Sequence, residues 1–162
     1  MNVAFLSLGG NMGNRAAHLS EALETIEKRC GRLSEASSVY ETAAWGSDSA
    51  NAYLNQVVRI ETGLHPRDLL NTLLDIEKKA GRTREGGRYA DRVIDLDLLF
   101  YNNEVIDEKD LQIPHPRLHL RQFVLVPMVE LQEGLVHPVL KRTMRQLLDV
   151  CTDTLSVKKY QG

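Results

Sequence analysis

The sequence predicts an α+β fold with a mainly antiparallel sheet, on three observations. Residues 2–10 and 93–101 are apolar, strand-like runs; 15–31 and 65–81 carry apolar residues at helical spacing; 32–43 and 52–63 are rich in Val, Tyr, Thr and Ile. The resulting order, β-α-β-β-α-β, is the split βαβ or ferredoxin-like plan, with both helices on one face of the sheet and the other face left for a site.

Each element has a local reason. "NVAFLSLGG" (2–10) alternates Val3, Phe5 and Ser7 against Ala4, Leu6 and Leu8 and ends in a glycine pair, which reads as a strand entering a turn. "RAAHLSEALETIEKRCG" places Leu19, Leu23, Ile26 and Cys30 on one helical stripe, with Gly31 as the stop. "HPRDLLNTLLDIEKKAG" has Pro66 at the helix start, Leu69, Leu73, Ile76 and Ala80 on one stripe, and Gly81 at the end. After the strand 93–101, "NNE" leads to a short extended "VID" that can pair back as a hairpin. Residues 121–132 read as a short helix interrupted around Pro127, and 140–151 as a closing helix with Met144, Leu147 and Leu148 inward. No internal repeat or low-complexity linker divides the chain, so 1–162 reads as a single domain with these C-terminal additions.

Composition narrows the function classes. With 20 Lys and Arg against 22 Asp and Glu, the net charge of −2 supplies no global basic field, and neither a nucleic-acid nor a membrane partner is expected. No apolar run approaches spanning length, and the N-terminus lacks the charged start of a signal peptide, so a cytoplasmic protein is expected. The two cysteines, Cys30 and Cys151, show no metal or redox spacing and read as thiols in a reducing compartment.

The chemistry concentrates in "RVIDLDLLF" (92–100). Side chains at i and i+2 of a strand share a face about 6–7 Å apart, so Asp95 and Asp97 look one way while Ile94, Leu96 and Leu98 look toward the core. Two carboxylates at that separation repel unless bridged by cations, and Mg²⁺ suits a site of few carboxylates, water and phosphate. A merely solvated polar face would also explain D-x-D alone. The preceding loop "GRTREGGRYADR" (81–92) shifts the balance: it sets Arg82, Arg84, Arg88 and Arg92 around a Gly86-Gly87 pair, and guanidinium groups bind phosphate oxygens bidentately.

Absent motifs prune the alternatives. There is no G-x-x-x-x-G-K-[ST], no G-x-S-x-G elbow and no H-E-x-x-H. Metal-assisted phosphoryl chemistry without a protein nucleophile remains, in which positioning and charge neutralisation supply the catalysis. A two-metal phosphodiesterase would use the same carboxylates but needs further ligands. A non-catalytic binding module would use the open sheet face, yet "VIDLDLLF" lacks the aromatics of RNA-binding strands.

With these residues in view, the chain resembles the 6-hydroxymethyl-7,8-dihydropterin pyrophosphokinase family over about residues 2 to 150. The match rests on "RVIDLDLLF" with its arginine loop, then "LSLGGNMGN", "YET" followed by Trp45, "YLNQVV", "IEKKAGR" and "IPHPRLHLRQFVLVPMVEL" in family order. The resemblance implies transfer of pyrophosphate from ATP to the pterin hydroxymethyl group with release of AMP, ATP as co-substrate and two Mg²⁺ ions. It implies that Asp95 and Asp97 hold the metal, that Arg82 and Arg92 neutralise the triphosphate, and that Arg84, His115 and Arg121 grip phosphates or ribose. Glu77 and Leu98 would lie by the nucleotide. Thr42, Tyr53, Asn55, Tyr89 and Phe123 would form the pterin pocket, Asn55 bonding the ring edge and Phe123 stacking on its face. A monomer taking only small-molecule partners is expected. Three positions depart from the family pattern: Tyr89 for tryptophan, Asp91 for proline before Arg92, and Ala43 for proline after Thr42.

Overall fold

The computed structural model describes residues 1–42, 52–81 and 93–161. The first strand, β1 (Asn2–Gly10), runs into helix α1 (Arg15–Arg29), capped by Asn14, whose Oδ1 accepts the Ala17 amide at 3.1 Å. Gly31 then turns the chain; a Cβ there would stand 2.2 Å from the Glu61 carbonyl oxygen, so only glycine fits. The predicted strand 32–43 is two strands, β2 (Arg32–Ala36) and β3 (Tyr40–Thr42). Between them Ser37 turns inward: its amide still donates to Val57 O at 2.8 Å, but the Val57 amide goes to Ser37 Oγ at 3.0 Å, a side-chain oxygen taking the place of a strand carbonyl at the break. Next come β4 (Tyr53–Thr62), helix α2 (Pro66–Lys79) and β5 (Asp95–Tyr101).

The sheet order is β5-β1-β4-β3, with β2 also on β4, and every pairing is antiparallel. Helices α1 and α2 pack on one face over Leu6, Leu8, Leu54, Ile60, Leu96 and Leu98. Each fully buried Leu or Ile contributes about 1.5–3 kcal/mol of apolar burial.

A register shift interrupts the β1–β5 ladder: Leu6 pairs with Leu98 but Phe5 pairs with Phe100, leaving Leu99 as the extra residue of a bulge. Leu99 and Phe100 therefore both join the apolar layer on the second face, with Phe5 and Val57.

Three expectations need correction beyond β5, and one element is an addition. The "VID" stretch does not pair back on it: β6 (Ile106–Glu108) pairs with β7 (Leu111–Ile113) as a separate two-stranded sheet. Helix α3 (Gln122–Gln132) runs through Pro127 without interruption, because Val124, Leu125, Pro127 and Met128 are all buried and packing holds the turn that lacks one amide. The closing helix α4 shrinks to Met144–Asp149, since Lys141 sits at φ 60° and the helix starts only at the Thr143/Gln146 capping box. Leu147 and Met144 point inward as expected, and Leu148 is partly buried. A last strand, β8 (Val157–Lys159), went unforeseen and pairs with the free edge of β3.

The second sheet face is accordingly not open along its whole length. Helices α3 and α4 cover its apolar half, and only the half around the ends of β1, β3, β4 and β5 is left for a site.

Candidate active site

Along the second face the sheet changes from apolar to polar in one residue step. Beyond the layer of Phe5, Val57 and Leu99, Ser7 of β1 stands opposite Asp97; one step further, Gly9 is flanked by Asp95 on β5 and Asn55 on β4. The period of two thus sets both carboxylates facing one way, while Leu96 and Leu98 are buried under the helices.

The two acids line two adjoining clefts. One, of about 170 Å³, is bounded by Ser7, Gly9, Thr42, Tyr53, Asn55, Arg121 and Phe123. The other, of about 440 Å³, is bounded by Glu77, Leu98, Lys109, Gln112, His115 and Pro116. Asp95 and Asp97 are the only charged residues common to both among the described residues.

In the smaller cleft the polar groups are directional. Asn55 is buried and its Nδ2 donates to Thr42 Oγ1 at 2.7 Å, so its Oδ1 faces Gly9, where a Cβ would lie 2.8 Å away. The Thr42 hydroxyl accepts from Asn55 and keeps its own proton for a ligand. The Arg121 guanidinium lies 5.5 Å from the Phe123 ring centroid, a cation–π contact that orients both at the start of α3. That helix start is held by buried Asp153, whose carboxylate accepts the Gln122 amide at 3.0 Å and the Leu155 amide at 3.0 Å. Arg121, expected on the nucleotide, lines the smaller cleft.

In the larger cleft, buried Glu77 of α2 accepts the Leu96 amide at 2.6 Å. His115 is carried by the stretch after β7; its amide donates to Leu99 O at 2.9 Å and its Nδ1 accepts the Arg117 amide at 3.1 Å. Burial, with Arg121 and Arg117 adding to it and Asp95 opposing, pushes His115 down to about 4. The ring is therefore neutral near pH 7 with its proton on Nε2, a donor available to a phosphate oxygen.

The structure brings together Asp95, Asp97, Glu77, Leu98, His115, Arg121, Thr42, Tyr53, Asn55 and Phe123. Arg82, Arg84, Tyr89 and Arg92, with Ala43, Trp45, Asp91 and the Gly86-Gly87 pair, lie outside the described residues. Ser7 and Gly9 were missed as site residues; the signal was their odd-numbered register on β1, opposite the two acids.

The donor set fits a hard divalent cation. Asp95 and Asp97 supply carboxylate oxygens on one partly exposed face, and no cluster of three or more His, Cys, Asp or Glu occurs among the described residues. Water and phosphate oxygens would complete such a coordination shell, the pattern Mg²⁺ adopts.

The sequence model of 7,8-dihydro-6-hydroxymethylpterin-pyrophosphokinase (HPPK) matches residues 5–133. The chain belongs to the HPPK family. Membership makes it an enzyme, a transferase of the pyrophosphokinase type. It is 35% identical over 146 residues to the 2-amino-4-hydroxy-6-hydroxymethyldihydropteridine pyrophosphokinase of Aquifex aeolicus, covering 90% of each chain. To the enzyme of that name from Porphyromonas gingivalis it is 40% identical over 141 residues, covering 85% of this chain and 95% of the relative. Similar folds include the crystal structure of Plasmodium falciparum HPPK-DHPS, with a TM-score of 0.73 at 19% identity, covering 92% of this chain. That likeness is one of fold, and this chain spans only 43% of the P. falciparum protein. No helix among the described residues is long and apolar enough to cross a membrane.

Proposed function

We propose that this HPPK-family chain transfers pyrophosphate from ATP to the hydroxymethyl oxygen of 6-hydroxymethyl-7,8-dihydropterin, a step of folate synthesis. The observation that carries the reading is the place of Asp95 and Asp97 at the seam of two clefts, where a phosphate chain from one side meets a hydroxyl from the other. In the reaction the hydroxymethyl oxygen bonds to the β-phosphorus, the bond from that phosphorus to the α,β-bridging oxygen breaks, and AMP leaves as the hydroxyl proton is lost.

The smaller cleft takes the pterin. Asn55 Oδ1 and the Thr42 hydroxyl offer an acceptor and a donor to the ring edge, and Phe123 offers a face for stacking. The larger cleft takes ATP, with the neutral His115 donating from Nε2. Arg121 stands where it can serve the transferred phosphates. Asp95 and Asp97 would hold two Mg²⁺ ions, which when bound neutralise phosphate charge and align the triphosphate. Arg82, Arg84, Arg92 and Tyr89 join the assignment through the family resemblance. The β5-β1-β4-β3 order, with α1 and α2 as crossovers, supports a ferredoxin-like core. We assign residues 1–162 to one monomeric, cytoplasmic catalytic unit.

The test is incubation with ATP, Mg²⁺ and the hydroxymethyl pterin, followed by separation of nucleotides. AMP formed only when all three are present, abolished by EDTA and by Asp97→Ala, is the expected result. ADP as the product, or AMP release unaffected by Asp97→Ala, would overturn it.

A further inference from the structure

The pterin pocket is closed on one side by the last rung of the β3–β4 ladder, where Thr42 pairs with Tyr53. Both line the cleft, and Thr42 also holds Asn55. What fixes that rung lies outside the cleft. Arg15, the first residue of α1, donates from Nη1 to Glu41 Oε2 at 2.8 Å and to the Ala52 carbonyl at 2.9 Å. Glu41 directly precedes Thr42 and Ala52 directly precedes Tyr53. One guanidinium nitrogen thus ties together the two strand ends that present the pocket's side chains.

Two features argue against an incidental surface pair. A cation in the first turn of a helix opposes the macrodipole, so this is an unfavourable place for arginine unless another contact holds it. The guanidinium is also covered: its carbon lies 5.6 Å from the centroid of Tyr160, just beyond β8. The Tyr160 amide in turn donates to Val39 O at 2.8 Å, and β8 pairs Thr42 with Val157. The Arg15 side chain is 24% exposed, against 41% for Glu41, so water competes less with these bonds than at an open surface ion pair.

We infer that Arg15 is a positioning residue for the pterin. Through Glu41 and Ala52 it sets the Thr42–Tyr53 rung, and Tyr160 holds it in place. The inference rests on the smaller cleft being the pterin site. Arg15 lines neither cleft, so its loss should act on the pterin side through the rung and leave the nucleotide cleft alone.

The test is steady-state kinetics on Arg15→Ala, Arg15→Lys, Glu41→Gln and Tyr160→Phe, with thermal melts alongside. Arg15→Ala should raise the KM for pterin about tenfold, the KM for ATP and kcat staying within about twofold. Arg15→Lys, which reaches one acceptor and not both, should fall between, and Glu41→Gln should weaken pterin binding in the same direction. Tyr160→Phe keeps the ring face and should match the parent enzyme. An Arg15→Ala enzyme with both KM values raised equally, or with a lower melting temperature and an unchanged pterin KM, overturns the inference. Should Arg15→Ala fail to fold, Glu41→Gln and Arg15→Lys decide it by the same split. A parent chain that releases no AMP would sink the transfer reading instead, which keeps the two failures apart.

Discussion

Glu77 and Leu96 are joined by a 2.6 Å bond in which the buried carboxylate accepts the strand amide. Leu96 lies between Asp95 and Asp97 on β5, the edge strand of the sheet among the described residues, where no described strand receives its outward amide. Helix α2 supplies the acceptor instead, and so fixes the strand segment that presents both acids.

Truncating that carboxylate should therefore be felt in stability and at the acids together. Glu77→Ala leaves a buried amide unpaired, which costs about 1–3 kcal/mol. Chemical denaturation should show that loss, and the Mg²⁺ concentration giving half-maximal rate should rise. Glu77→Gln keeps an oxygen for the amide and should recover most of the stability.

A methyl group at position 9 should damage one substrate site selectively. The Gly9→Ala Cβ would lie 2.8 Å from Asn55 Oδ1, and Asn55 cannot retreat without giving up its 2.7 Å bond to Thr42. Pterin binding measured by calorimetry should weaken at least about tenfold, while ATP binding holds.

His115 should titrate far below an ordinary imidazole. Its value of about 4 lies beneath the usual 6.5, so the unfolded chain binds more protons between those limits. Its contribution to stability is thus present above about pH 6.5 and is lost as the pH falls through 4. NMR of the ligand-free enzyme should find a midpoint below 5 and the Nε2-protonated tautomer at pH 7; a midpoint near 6.5 would contradict the burial argument.

Tyr40 and Glu130 give an alkaline counterpart. Burial, then the hydrogen bond to Glu130 and its charge, push the Tyr40 phenol up to about 12. The folded value exceeds the unfolded 10, so this stability is intact below pH 10 and disappears as the pH rises through 12. Tyr40→Phe should remove that alkaline dependence and, at pH 7, cost about 1.5–3 kcal/mol for the bond to a charged acceptor.

The sequence was legible where periodicity has one reading. Asp95 and Asp97 alternate with Leu96 and Leu98, so their common face follows from strand geometry, and the stripes of α1 and α2 follow from helical spacing. Long-range pairing was not legible. Ser7 and Gly9 look like ordinary strand and turn residues until register sets them against acids some ninety positions away. Arg15 reads as a solvated helix residue, because its partners come from β3 and from just before β4. Strand β8, "VKK", is too short and too charged to signal itself, and exists because β3 has an edge to fill. Pro127 misled because local backbone preference yields to the burial of its whole helix face.

The extra residue at Leu99 lets one strand keep two phases. Its first half alternates so that the acids look outward. After the offset, Phe100 meets Phe5 edge-on at 6.2 Å, and Tyr101 reverts to the helix-covered side, donating its hydroxyl to Leu64 O at 2.6 Å. An uninterrupted strand would send Phe100 and Tyr101 to the wrong sides whenever the acids were correctly aimed. The same offset residue lends its carbonyl to the His115 amide, so the irregularity that protects the aim of the carboxylates also moors the imidazole beside them.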